Sequence, residues 1–286
     1  MKTILIPLDF TENASNVARY GVDFANYVKA EKIILYHSYS VEPLPGDISF
    51  SSGMATPDLA GPVFQAGELE KISIDGLEKQ KADLLSYAQT DIPVELVSEM
   101  GPIGQTIDEL AVEKGADLIV IGISEATTFE RLFFGSTALT VVNNTLIPVL
   151  IVPPGSHFTA IQNIGWACDC KNVEETTPMH TIENLLSITN ASLHVIHNEP
   201  NQEAFNESVI QQNKKIQDFL KNDSYKFALL ENKNLTEAVN TYVDQNGINL
   251  LIVVPKKHSW LETIFSKSST KELAFHTHVP LLCLQQ

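Results

Sequence analysis

Residues able to hold a phosphorylated ligand follow short apolar runs in the first half of the chain. Asp9 ends the run TILIPL, and its ionised carboxylate can only accept hydrogen bonds, as from a base amino group or sugar hydroxyls. Gly135, Ser136 and Thr137 open a helical pattern, where free backbone amides attract anions and glycine permits close approach. Spacing alone favours simpler roles: Asp9 caps the next helix, and Gly135-Ser136 only begins one.

Apolar runs of strand length alternate with helical patterns through this half of the chain. That alternation is typical of an α/β fold with a parallel sheet covered on both faces. The strand-like runs are residues 3–8, 32–38, 93–98, 117–123 and 148–152. In such a sheet, ligands bind at the carboxyl ends of the strands, where the strand order reverses. The residues expected at those ends are Pro7, Leu8, Asp9, Ser38 and Gly122, beside the helix start at 135–137.

The second half of the chain repeats the order of the first. An offset of 160 pairs Asp9 with Asp169, and an offset of 132 pairs Pro148 with Pro280 in the later elements. The offset falls because the loop at 40–65 has no full counterpart. One register held through several elements indicates a duplicated domain.

Length and linker composition set the predicted domain bounds. A chain of 286 residues is long enough for two domains with separate cores. The sequence PPGSHFTA at 153–160 has the composition of a linker. We predict two doubly wound α/β domains, 1–152 and 161–286. The loop at 40–65 is a candidate lid over the first crevice, and its composition is equally compatible with disorder.

Charge and cysteine content narrow the class of protein. The chain carries 19 basic and 35 acidic residues, for a formal net charge of -16. That charge repels nucleic-acid backbones and anionic lipid, so we expect neither a nucleic-acid nor a membrane partner. Three cysteines suit a reducing compartment. The first apolar run is too short for a secretory signal, and we expect a cytoplasmic protein.

A resemblance to the universal stress protein family is carried by the segments ILIPLDFTENASNVARYGVDFA, IILYHS and DLIVIGISEATTFERLFFGSTALTVVNNTLIPVLIVPP. It covers the whole chain as a tandem pair. The resemblance implies five-stranded domains of strand order 3-2-1-4-5, paired through their last strands. Residues 147–152 and 279–284 would then join in an internal pseudo-dimer. Whether two chains also form a homodimer stays open.

The phosphate motif of the ATP-binding members is matched in part. Those members carry a glycine, two residues, a second glycine, nine residues, and then Gly-Ser or Gly-Thr. Gly122 and Gly135-Ser136 match at the family's spacing, but Glu125 stands at the second glycine. Its carboxylate would repel a phosphate by about 1 to a few kcal/mol in a partly solvated cleft. Arg131 could offset that charge or pair with a neighbouring glutamate.

The resemblance also assigns the base-binding end of the site. It places the adenine-contacting aspartate at Asp9, and it places Ser38 in the adenine pocket, where valine is usual. The expected ligand is ATP or AMP. Whether Mg²⁺ accompanies the phosphates stays open, and no other cofactor is expected. In the second domain Asp169 is kept, but Val254-Pro255 replaces the first glycine of the motif. We therefore predict that this crevice does not hold ATP.

Two functions stay open from the sequence. The first is a stress-response protein that binds a nucleotide through domain one and regulates an unidentified protein partner. The alternative is a structural or adaptor stress protein whose crevices have lost nucleotide binding. The pattern contains no nucleophile with a positioned base, so we predict no catalytic residue and at most slow ATP hydrolysis. We also predict no metal site, and we interpret Cys168 and Cys170 as ordinary reduced cysteines.

Overall fold

The computed structural model describes residues 1–40, 66–88, 90–123, 136–199, 207–220, 225–255 and 279–285. Strands and helices alternate through the first half as β1 Thr3–Pro7, α1 Glu12–Val28, β2 Lys32–Tyr39, α2 Ala66–Tyr87, β3 Val94–Met100, α3 Ile103–Lys114, β4 Leu118–Gly122, α4 Ser136–Asn144 and β5 Val149–Val152. The second half contains β6 Asn163–Ala167, α5 Val173–Thr176, α6 Met179–Thr189, β7 Ser192–Asn198, α7 Glu207–Leu220, β8 Tyr225–Leu230, α8 Leu235–Asn246, β9 Leu250–Val253 and β10 Leu281–Cys283.

All ten strands belong to one sheet, in the order β3-β2-β1-β4-β5-β10-β9-β6-β7-β8. Pairs within each half are parallel, which gives each half the predicted order 3-2-1-4-5. The two halves meet through β5 and β10, which are antiparallel, with Leu282 opposite Leu150. The predicted fold class is confirmed, including the pairing of the last strands.

The sheet is covered by helices on both faces. Along β1, Ile4 and Ile6 face one apolar layer and Leu5 faces the other, as the two-residue period of a strand requires. The first layer includes buried residues of α1, α2, α6 and α7, and the second includes buried residues of α3, α4 and α8. Both layers continue from one half into the other, so the halves share their core.

The predicted linker packs against α1. The ring of Phe158 lies among three aromatic rings of that helix, with centroid distances of 5.5 Å to Tyr20, 6.1 Å to Phe24 and 5.3 Å to Tyr27. The Tyr27 hydroxyl lies 3.3 Å from the carbonyl oxygen of Ile161 and can donate a hydrogen bond to it. These contacts attach α1 to the second half. The proposed domain bounds, 1–152 and 161–286, remain predictions.

Candidate functional site

The turn between β1 and α1 is organised by Asp9. Its Oδ1 accepts hydrogen bonds from the Thr11 backbone N–H at 3.1 Å and from the Thr11 hydroxyl at 2.7 Å. The Thr11 Oγ1 in turn accepts from the backbone N–H of Ala14 at 3.2 Å, which caps α1. Thr11 is therefore the N-cap of α1. Asp9 fixes the position of Thr11 through these two hydrogen bonds, and its own side chain is exposed beyond the carboxyl end of β1.

The end of β4 lies very close to the first turns of α1. A Cβ atom on residue 122 would stand 2.4 Å from Val17 Cγ2 and 3.0 Å from Asn13 Nδ2, so only glycine fits at Gly122. Asn13 Nδ2 also donates a hydrogen bond of 2.7 Å to the carbonyl oxygen of Ile123. This bond holds the start of α1 beside the carboxyl end of β4. The strand order reverses between β1, which precedes α1, and β4.

A cleft of about 240 Å³ opens at this point. Its walls contain the predicted site residues Pro7, Leu8, Asp9, Ser38, Gly122 and Thr137. They also contain seven residues that were not predicted as site residues: Asn13, Ala14, Val17, His37, Ile103, Ile121 and Ala138. The cleft therefore combines a carboxylate, hydroxyls and apolar side chains.

Three further members of the predicted site have no described side chain. Ser136 is the first residue of α4, and its side chain is outside the described set. Arg131 and Gly135 lie outside the described residues, as do Glu125 and the loop at 40–65. A phosphate-binding role for the 122–136 segment therefore remains a prediction.

A partly buried chain of hydrogen bonds supports one side of the cleft. His37 Nδ1 is 2.8 Å from the Ser73 hydroxyl, which is 2.6 Å from the Ser98 hydroxyl. Burial lowers the pKa of His37, although the Asp9 carboxylate acts in the opposite direction. The Phe10 ring lies over the imidazole, with centroids 4.3 Å apart. Burial therefore favours the neutral form of His37, and its Nδ1 is hydrogen-bonded to Ser73 of α2.

Comparison with known proteins identifies this architecture. The family model described as "Universal stress protein family" matches residues 1–153. The chain belongs to the universal stress protein family. A universal stress protein of Methanocaldococcus jannaschii is 28% identical over 153 residues, which are 53% of this chain and 81% of that protein. Another, from Synechocystis, is 26% identical over 152 residues, which are 53% of this chain and 85% of that protein.

A solved structure extends the likeness in fold to nearly the whole chain. The crystal structure of a universal stress protein from Archaeoglobus fulgidus superposes with a TM-score of 0.71 at 15% sequence identity. The superposition covers 99% of this chain and 96% of the other. At that identity the likeness establishes the shared fold and nothing finer.

The second half of this universal stress protein repeats the turn but not the cleft. Asp169 Oδ1 accepts a hydrogen bond of 3.1 Å from the Lys171 backbone N–H, as Asp9 does from Thr11. Cys170 has a positive φ of 52°, matching the φ of 61° at Phe10. However, the crevice at this turn measures only about 20 Å³, with Val254 in its wall.

The described parts of the chain contain neither a cluster of metal ligands nor a helix that could span a membrane. No three His, Cys, Asp or Glu side chains there are grouped as a metal site requires. Over the same residues, every helix is too short or too polar to cross a lipid bilayer.

The sequence did not indicate Asn13, Val17 and His37 as site residues. Asn13 and Val17 belong to α1 and lie far along the chain from Gly122, so their residue types give no signal of the contact with the end of β4. His37 precedes Ser38 at the end of β2, and its position next to a predicted site residue is a signal that could have indicated it.

Proposed function

We propose that the first crevice binds an adenine nucleotide, ATP or AMP, and that the protein is a nucleotide-responsive regulatory module of the stress response. One observation carries the proposal. The cleft of about 240 Å³ has the Asp9 carboxylate in its wall together with Thr137, in the first turn of α4. An acceptor for a base or sugar and a helix start suited to phosphate thus belong to one cavity.

The remaining walls suit the other parts of such a ligand. The apolar side chains of Leu8, Val17 and Ile121 offer a dry surface for a base. The volume is below the 300–1,000 Å³ or so of drug-sized pockets. A base and ribose therefore match the cleft better than a whole triphosphate, whose phosphates would extend towards α4. Mg²⁺ carried by the phosphates would reduce their repulsion from an acidic chain.

Equilibrium dialysis with labelled ATP and AMP tests the proposal. We expect saturable binding by the full chain, weakened about tenfold to a hundredfold in Asp9→Ala, because a hydrogen bond to a charged group contributes about 1.5–3 kcal/mol. Asp169→Ala is the matched control, since Asp169 makes the same bond to the backbone two residues on. That variant should bind as the parent does.

A second candidate is an adaptor that binds no nucleotide. It is favoured by Glu125 at the family's second glycine and by the crevice of about 20 Å³ in the second half. Absence of binding at millimolar ATP and AMP would favour the adaptor and remove the proposal. Equal affinity in Asp9→Ala and the parent would remove the assigned site.

A further inference from the structure

Two cysteines meet at the turn after β6. Cys168 and Cys170 are two residues apart, so their Cα atoms are at most about 7 Å apart even in a fully extended chain. The positive φ of 52° at Cys170 turns the backbone there. As a result, the Cys170 backbone N–H lies 3.2 Å from Cys168 Sγ and donates a hydrogen bond to it. Cys168 and Cys170 are called the cysteine pair below.

A buried histidine lies against the cysteine pair. His197 Nδ1 is 3.0 Å from the carbonyl oxygen of Cys168 and donates a hydrogen bond to it. The other ring nitrogen, Nε2, is buried with no hydrogen-bond partner among the described residues. Burial opposes a charge on the ring, but Cys170 and the Cys168 carbonyl outweigh it and raise the pKa of His197.

The surroundings of the cysteine pair favour a thiolate on Cys170. A hydrogen bond from the Cys168 thiol lowers the pKa of Cys170 to about 6, with help from His197 and against the effect of burial. The pKa of the partner thiol, Cys168, rises well above its ordinary value for the same reason. A thiolate in contact with a second thiol is the arrangement of redox-active cysteines.

Access to the pair is limited to small molecules. Cys170 is 1% exposed, whereas Cys168 is partly exposed and lines the crevice of about 20 Å³. A cavity of that size holds one molecule about as large as water. Hydrogen peroxide, with two heavy atoms, is only slightly larger than this limit and can approach through the open side of the crevice, whereas a bulky disulfide is far larger.

We propose that Cys168 and Cys170 form a reversible disulfide on exposure to hydrogen peroxide, which makes the second crevice a redox-responsive site. The inference is independent of nucleotide binding, because it concerns the other half of the sheet. The site is the second-half equivalent of the turn that presents Asp9 in the first.

The reaction balances within the pair and one peroxide. The accessible sulfur, Cys168, attacks a peroxide oxygen in the less populated form of the pair, in which the shared proton lies on Cys170 and the negative charge on Cys168. The O–O bond breaks, giving a sulfenic acid on Cys168 and a hydroxide that takes the Cys170 proton to form water. The Cys170 thiolate then attacks the Cys168 sulfur and displaces a second hydroxide. The two sulfurs lose two electrons, and the peroxide gains them.

Mass spectrometry of the full chain tests the proposal. The protein is treated with hydrogen peroxide, alkylated under denaturing conditions and digested with trypsin. The peptide ending at Lys171 should lose two hydrogens and take up no alkyl group, and dithiothreitol should restore two alkylation sites.

Matched variants distinguish the pair from general oxidation. Cys283, buried in β10 with its pKa raised by burial to about 12, is the control, and Cys283→Ser should oxidise as the parent does. Cys170→Ser should stop at a sulfenic acid on Cys168 that a dimedone probe labels. Circular dichroism confirms that each variant is folded. Two alkyl groups retained after peroxide treatment, or disulfides formed only between chains, would overturn the proposal.

Discussion

Val17 on α1 fills the space that a side chain on Gly122 would need, since Val17 Cγ2 lies 2.4 Å from the position of a Cβ there. The glycine that matches the start of the family's phosphate motif is therefore required by packing. Its presence does not depend on a ligand. The close approach of α1 and β4 also forms the wall of the cleft between Asn13 and Gly122.

Gly122→Ala should lower the free energy of unfolding by about 1–3 kcal/mol, because the added methyl group overpacks a buried contact. Urea denaturation followed by circular dichroism measures the loss. Gly67→Ala is the control, since a Cβ at that exposed helical position meets no atom within 4 Å. A Gly122→Ala variant as stable as the parent would contradict the packing argument.

Asn13→Ala should weaken both stability and nucleotide binding. It removes the 2.7 Å bond to the Ile123 carbonyl and a polar group of the cleft, at a cost of about 1–2 kcal/mol. Asn16→Ala removes a comparable bond, of 3.1 Å to the Ser156 carbonyl, from a residue outside the cleft wall. Denaturation and dialysis should show similar stability losses but reduced ATP affinity only in Asn13→Ala. Equal affinities would show that Asn13 does not contact the ligand.

Phe158→Ala should destabilise the whole chain, because this ring joins the predicted linker to α1. We expect a loss of about 2–4 kcal/mol for a partly buried aromatic side chain among three aromatic rings. His157→Ala, one residue earlier and exposed, should change little. Thermal unfolding by calorimetry compares the two variants. Equal midpoints would mean that the linker does not attach to the helix in solution.

Glu95→Gln should produce a pH-dependent loss of stability. Hydrogen bonds from Lys32 and then Lys114 lower the pKa of Glu95, and the Lys114–Glu95 distance is 3.0 Å. A carboxyl group with a lowered folded-state pKa stabilises above its unfolded pKa of about 4.3 and loses that contribution as the pH falls through the folded value.

The variant should therefore be less stable than the parent by about 0.5–1 kcal/mol at pH 7, the upper range for a partly exposed ion pair. As the pH falls through the lowered folded-state pKa of Glu95, the two proteins should converge. Guanidinium denaturation across this range measures the difference, and Glu113→Gln, at an exposed neighbouring pair, should show little change. A difference that persists in acid would indicate a packing effect instead.

The sheet could be predicted from the sequence because its strands are apolar on both faces. Runs such as 3–8 and 117–123 must be buried between two helical layers, and that requirement alone indicates a parallel α/β sheet. The strand order and the β5–β10 pairing came from the family resemblance. The shift of β3 from the predicted 93–98 to Val94–Met100 reflects pairing with β2 through Tyr39.

The long-range contacts of the site could not be predicted. The bond from Asn13 to Ile123 joins residues 110 positions apart, and His197 reaches Cys168 across 29 positions. Such contacts depend on how closely a helix approaches a strand end, which composition and periodicity do not specify. For the same reason, the sequence does not indicate that His197 lies beside Cys168 and Cys170.

The antiparallel pairing of β5 with β10 places the carboxyl ends of the strands of the two halves at opposite sides of the sheet. All strands of the first half point one way and all strands of the second half point the other. Asp9 and the cysteine pair therefore lie at opposite sides of this sheet, each beyond the carboxyl end of a strand. A macromolecule that contacts both sites must reach around the sheet, whereas one bound at a single side contacts only one of them.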